Sequence, residues 1–342
     1  MMRSSGRYGF DLDESEIKPY LPLEGIIEAA FYTANRLFGL TFTARRDVPV
    51  YHPDVRVWDV TGPDGKHVGV FFGDYFARAS KRSGAWMTSL RDQERLDGEV
   101  RPLVLNVMNF NKGAAGEPTL LSFDDARTLF HEFGHGLHGL LSDVTYPMIS
   151  GTGVLQDFVE LPSQLYEHWL DRPEILGRFA RHYETGEPMP PSLMDRLIAS
   201  RTFNQGFLTT EYLGSTYVDL DFHLGGAKDA HAVEAETRAR MRMPDEVVLR
   251  HRPPHFQHIF SGDHYAAGYY SYLWSEVLDA DAFNAFEEAG DVFDPAVAER
   301  LRDHIYAAGG AREPAEAYKA FRGRMPSVDP LLKKRGLIDE AA

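Results

Sequence analysis

The stretch Thr128-Leu129-Phe130-His131-Glu132-Phe133-Gly134-His135-Gly136-Leu137-His138 contains a His-Glu-x-x-His motif. On a helix His131 and His135 lie four residues apart, so their imidazoles project from one face and can grip a single divalent ion. Glu132 sits about 100° round the helix, where it can reach a water on that ion. Two neutral imidazoles and a carboxylate suit zinc, leaving a fourth position for a water whose pKa falls to about 7. The motif thus predicts the chemistry of a zinc hydrolase with Glu132 as general base. Ser122 followed by Asp125 predicts the helix N-terminus, ahead of the apolar run Leu129, Phe130, Phe133 and Leu137. Gly134 and Gly136 argue mildly against a helix.

A third ligand is needed. The longer metzincin helix requires Gly at the position of His138 and His at the position of Leu141, and this chain has neither. His138, three residues beyond His135, reads as a supporting donor or a packed histidine. A better third ligand is Glu160, 25 residues beyond His135, in Asp157-Phe158-Val159-Glu160-Leu161-Pro162-Ser163-Gln164. A second helix antiparallel to the first would carry it back, with Pro147 and Gly151 to Gly153 making the connection. Asp143, Asp157 and Glu167 compete, but each reads more simply as part of a solvated acidic face.

With Tyr265-Ala266-Ala267-Gly268-Tyr269-Tyr270-Ser271-Tyr272-Leu273-Trp274, these segments resemble the thimet oligopeptidase family of zinc metallopeptidases. The resemblance implies a zincin-like catalytic domain of the gluzincin type, mainly α with a small β-sheet, spanning residues 1–342. It implies one Zn2+ per chain held by His131, His135 and Glu160, with Glu132 as catalytic base. It also implies short peptides as substrates. Ala85-Trp86-Met87, Asn204-Gln205-Gly206-Phe207 and Ser271-Tyr272-Leu273-Trp274 look more like the bacterial peptidyl-dipeptidases than the thimet enzymes. Release of C-terminal dipeptides is therefore expected, with an endo-acting oligopeptidase as the alternative, and no residue is assigned to clamp the terminal carboxylate.

On pattern alone, Tyr265, Tyr269 and Tyr272 recur at spacings of four and three and so share one face of an expected helix, whereas Tyr270 points elsewhere. Such a stripe is usually core. Three phenols are costly to bury without partners, however, and Ala266, Ala267 and Gly268 leave room for another chain. By the resemblance Tyr272 stabilises the oxyanion, Tyr265 and Tyr269 hold substrate, and His258 is a further donor. The loop from His258 to Tyr265 is one residue longer and less glycine-rich than is common in the family, and His264 can replace His258.

Composition bounds the rest. The chain has 342 residues, 36 basic against 51 acidic, and a net charge of −15. No basic stripe invites nucleic acid, and the charge repels anionic membranes. With no cysteine, thiolate metal sites and disulfides are excluded. No run of eighteen apolar residues and no export signal occurs, so a cytoplasmic protein is expected.

In chain order, residues 1–22 read as a polar lead-in and Leu23 to Leu40 as an amphipathic helix stopped near Gly39. Residues 55–110 form a β region: a hairpin of Val55 to Val60 and His67 to Phe76 about Gly62-Pro63-Asp64-Gly65, then a strand from Arg101 to Phe110 whose unpaired edge can receive a peptide. Residues 122–342 read as mainly helical, with helices over Pro162 to Trp169, Glu174 to Tyr183, Ser192 to Leu220 and Ala230 to Arg240. Further helices open at Asp294-Pro295, closing at Gly309-Gly310, and at Glu313-Pro314, closing at Gly323. Members of the resembled family also carry a helical N-terminal half that walls a deep channel, and this half is expected to be absent here. Truncation, a partner chain supplying the wall, a partial reading frame and a non-catalytic peptide-binding remnant all stay open.

Overall fold

Pro22 and Gly39 bracket the first long helix, α1 (Leu23–Phe38), which Gly39 terminates in the left-handed region at φ 69°. Its buried face includes Ile26, Ile27, Ala30 and Leu37, as the periodicity predicts. The computed structural model describes residues 12–225 and 229–338, so residues 1–11 of the lead-in lie outside the described residues.

Five strands follow: β1 (Thr41–Arg45), β2 (Arg56–Thr61), β3 (His67–Phe76), β4 (Trp86–Arg91) and β5 (Leu103–Phe110), in the spatial order β1-β2-β3-β5-β4. The predicted hairpin is β2 and β3, paired antiparallel with Trp58 opposite Phe71. β5 pairs parallel to β3 and antiparallel to β4. Alternation along β5 splits its side chains: Val104 and Met108 join the main core, Leu105 and Val107 a small cluster on the opposite face. The expectation of an unpaired edge on the strand from Arg101 to Phe110 is corrected here. β5 has a neighbour on both sides; the edges of the sheet are β1 and β4, and the β4 run Trp86-Met87-Thr88-Ser89-Leu90-Arg91 beside it lacks the apolar alternation that announces a strand.

The motif helix, α2 (Phe123–Leu141), opens on a capping box: Ser122 Oγ accepts the Asp125 N–H and Asp125 Oδ2 accepts the Ser122 N–H, each at 3.0 Å. A Cβ on Gly134 would stand 2.7 Å from Pro162 O and from Ser163 Cα, so the glycine marks where α2 crosses α3 (Leu161–Leu170). A Cβ on Gly136 would stand 3.2 Å from the Asn106 side chain of β5. Helix propensity yields at both positions to close packing.

Besides the single turns Glu14–Ile17 and Gln257–Phe260, the α-helices of the described residues that remain are α4 (Pro173–Phe179), α5 (Pro191–Ser200), α6 (Gln205–Leu224), α7 (Ala230–Arg240), α8 (Ser271–Ala289), α9 (Pro295–Leu301), α10 (Pro314–Arg322) and α11 (Asp329–Lys334). The fold is mainly α with a small sheet. One helix expected from Ser192 to Leu220 is two, broken before Asn204, which takes a left-handed φ of 60°. The helix expected from Glu174 to Tyr183 stops at Phe179, after which Arg181 bridges to Pro188. The helix expected to carry Tyr265, Tyr269 and Tyr272 begins only at Ser271, so the first two phenols ride on consecutive turns.

Buried aromatic side chains tie α3 into the core. Tyr166 donates its hydroxyl to Ala30 O at 2.7 Å and Trp169 its indole N–H to Val292 O at 2.9 Å. Val218, Val233, Leu249, Phe256, Ile259 and Tyr269 form a separate, smaller core around α6 and α7.

Candidate metal centre

α2 supplies His131 and His135, and the residue preceding α3 supplies Glu160. Both histidine Nε2 atoms lie 3.1 Å from Glu160 Oε2, and one ligand atom from each of the three residues falls within 4.8 Å of the others. Donors about 2.0–2.2 Å from a tetrahedral ion stand roughly 3.3 Å apart, so this group fits a metal ion. Electrostatics agree. Burial lowers the His131 pKa, but the Glu160 and Glu167 carboxylates outweigh it and hold it well above the ordinary histidine value. Burial likewise opposes ionisation of Glu160, yet His135 and His131 hold its pKa well below the usual range. The centre therefore attracts positive charge.

Glu167 is the residue that sequence reasoning missed. Its Oε1 accepts from His131 Nδ1 at 2.7 Å, which orients the ring with Nε2 toward Glu160. A signal was available, because Glu167 follows Glu160 by seven residues, two helical turns on the same face. The other competing acids do not join the group: Asp143 pairs with Arg95 at 2.8 Å on the surface, and Asp157 accepts from Tyr270 Oη at 2.9 Å. His138 is fully buried, with no hydrogen-bond partner for either ring nitrogen among the described residues. Burial and then the His135 charge pull its pKa down to about 3, leaving a neutral ring packed 6.0 Å from that of Tyr306.

Glu132 is buried, and burial raises its carboxyl pKa against the opposing pull of His131 and His135. The tyrosine segment comes in from the other side. Tyr265 and Tyr272 stack with centroids 5.9 Å apart, their hydroxyls are 3.0 Å apart, and Tyr265 Oη reaches to 3.5 Å from Glu160 Oε1. Burial, then the Glu160 charge, pushes both phenols up, so each remains a protonated donor at neutral pH. Gln164 of α3 fixes the start of α8 by donating to Tyr272 O at 3.1 Å. His258 lies edge-on to Tyr265 at 5.8 Å, whereas His264 is exposed beside Asp263. Tyr269 is buried in the smaller core against Phe256 and Tyr212, behind the other two phenols.

A His-Glu-x-x-His helix joined by a glutamate at the N-cap of the next helix, beside a small mixed sheet, defines a zincin-like metallopeptidase fold. The profile of Peptidase family M3 matches residues 2–337, and the chain belongs to that family. It is 44% identical over 337 residues to a dipeptidyl carboxypeptidase of Salmonella typhimurium, covering 97% of this chain and 49% of that protein. It is 39% identical over 335 residues to oligopeptidase A of Escherichia coli, covering 96% of this chain and 49% of that protein. The chain thus spans about half the length of the curated relatives it matches. Among solved structures, an M32 carboxypeptidase from Deinococcus radiodurans shares the fold with a TM-score of 0.52 at 16% identity, over 94% of this chain and 60% of that one. Membership of a metallopeptidase family implies a catalytic metal, and the His131, His135 and Glu160 group can hold it. No helix among the described residues is long and apolar enough to cross a membrane.

Proposed function

We propose that this chain hydrolyses peptide bonds of short oligopeptides, with one Zn2+ held by His131, His135 and Glu160. The observation that carries this is the convergence of two imidazoles and a carboxylate, both imidazole Nε2 atoms 3.1 Å from one carboxylate oxygen, beside a pair of protonated phenols. When bound, Zn2+ supplies Lewis-acid polarisation of the scissile carbonyl and of the attacking water. Glu132 accepts a proton from that water on its carboxylate and delivers it to the leaving amine. Its burial, which makes the carboxyl less acidic, favours this exchange. Tyr272 donates its hydroxyl to the developing oxyanion, Tyr265 binds the substrate backbone, and His258 is a further donor at the edge of Tyr265. Tyr269 acts from behind, as packing that orients the pair.

Release of C-terminal dipeptides is the favoured specificity, supported by the 44% identity to a dipeptidyl carboxypeptidase. The 39% identity to oligopeptidase A keeps internal cleavage as the second reading. The domain reading follows the same line: residues 1–342 act as the catalytic unit, and a partner chain can supply the opposite wall of the channel. The test is cleavage of a blocked tetrapeptide with product analysis. We expect one zinc per chain, chelator-sensitive dipeptide release, and a loss of turnover of about 10²-fold or more in Glu132→Gln with zinc retained. Internal cuts would favour the oligopeptidase, and zinc binding without any turnover would reduce the chain to a peptide-binding remnant.

A further inference from the structure

Tyr265 and Tyr272 come from opposite ends of an eight-residue run, yet their hydroxyls meet. Between them Ala267 takes φ 57°, a left-handed conformation that a residue with a Cβ adopts only when its surroundings impose it. Against this turn lies Asp219, on α6 and fully buried. Asp219 Oδ1 accepts the Ala267 N–H at 2.9 Å, and Oδ2 accepts the Tyr269 N–H at 2.8 Å. His223, one turn further along α6, contributes a third contact from Nδ1 to Asp219 Oδ1 at 2.7 Å. Tyr212, also on α6, donates its hydroxyl to Tyr269 O and accepts the Leu273 N–H at 3.3 Å.

We infer that Asp219 is a positioning residue: by clamping the amides on either side of Gly268 it holds the turn in the one shape that brings the Tyr265 and Tyr272 hydroxyls together beside Glu160. The inference rests on the peptidase reading, since only there do the two phenols have work to do. The carboxylate is suited to this because its two oxygens are both acceptors, so two N–H groups two residues apart can be satisfied at once. Asparagine keeps one acceptor and turns an NH2 toward the other amide.

The experiment uses the full chain and the variants Asp219→Asn, Tyr272→Phe and their combination. In Asp219→Asn we expect hydrogen exchange at the Ala267 and Tyr269 amides to accelerate at least about tenfold, with α2 amides unchanged. With zinc content still one per chain, kcat on the blocked tetrapeptide falls about tenfold or more while KM stays within about twofold. In the Tyr272→Phe background the same change costs less than about twofold, because the phenol it positions is already gone. Additive losses in the double variant, or unchanged exchange at the two amides, would overturn the proposal. Should Asp219→Asn not fold, Asp219→Glu, which keeps both acceptor oxygens but displaces them from the Ala267 and Tyr269 amides by one methylene, is put through the same comparison with the same expected and overturning results. A wild-type chain that binds zinc but cleaves nothing would sink the peptidase reading instead. In that case exchange at the two amides, together with affinity for a phosphinic pseudotripeptide, decides on Asp219: an approximately tenfold weakening supports it and equal binding overturns it.

Discussion

The Glu167 carboxylate, 2.7 Å from His131 Nδ1, selects the tautomer that leaves Nε2 free for a metal. Glu167→Gln should therefore lower zinc affinity about 10- to 100-fold without changing the ligand set. Competition against a chromophoric chelator measures this, and an unaltered affinity would make the contact incidental. At this scale, legibility followed locality. His131 and His135 could be paired from sequence because one helical turn fixes their separation, and Glu160 because the Pro147 and Gly151 to Gly153 connection turns the chain back. Glu167 was hidden by the ambiguity of an acid on a helix, which has the same spacing whether it faces water or a histidine. Asp219 was hidden more deeply, since it meets the tyrosine turn across 48 residues and no periodicity reports such a contact.

Where α2 crosses α3, the packing of the two helices also sets the spacing of His131, His135 and Glu160. A methyl group on Gly134 would stand 2.7 Å from backbone atoms of Pro162 and Ser163, which cannot swing away as a side-chain tip would. Gly134→Ala should separate the histidines from Glu160, costing about 1–3 kcal/mol of stability and weakening zinc binding together. Melting with and without zinc tests it: a variant that loses stability yet gains the full zinc-dependent increment of the wild type would uncouple the two. In the sheet, Asp74 on β3 accepts from both Arg78 terminal nitrogens at 2.7 and 2.6 Å and from Tyr51, and pairs with Lys81 at 2.9 Å. Burial works against ionisation, but these partners hold its pKa down to about 2. A depressed carboxyl stabilises the fold fully above its unfolded pKa near 4 and progressively less as pH falls toward 2. Asp74→Asn should accordingly cost about 2 kcal/mol at neutral pH, and chemical denaturation curves of the two proteins should converge as pH drops from about 4 to about 2. A gap that stayed constant across that window would contradict the assignment. The β2–β3 hairpin was readable from Gly62-Pro63-Asp64-Gly65 between apolar runs, whereas β1 and β4 were not, because exposed edge strands lack the buried face that writes an alternating pattern.

For the molecule as a whole, the sequence made the class of fold and the mixture of helix and small sheet evident, but not the separation of a smaller helical core around α6 and α7 from the main one. The His131, His135 and Glu160 group belongs to elements of the larger core, while Tyr269, Asp219 and the loop before Tyr265 belong to the smaller one around α6 and α7. Folded regions with few shared apolar contacts open at different free energies. In a urea titration followed by both bound zinc and peptide cleavage, turnover should therefore vanish at a lower concentration than the one that strips the ion. Coincident midpoints would mean that the two cores melt as one. If the peptidase reading holds, that order of loss would leave His131, His135 and Glu160 still assembled while the turn that sets Tyr265 against Tyr272 has come loose, a state able to hold an ion without turning over peptide.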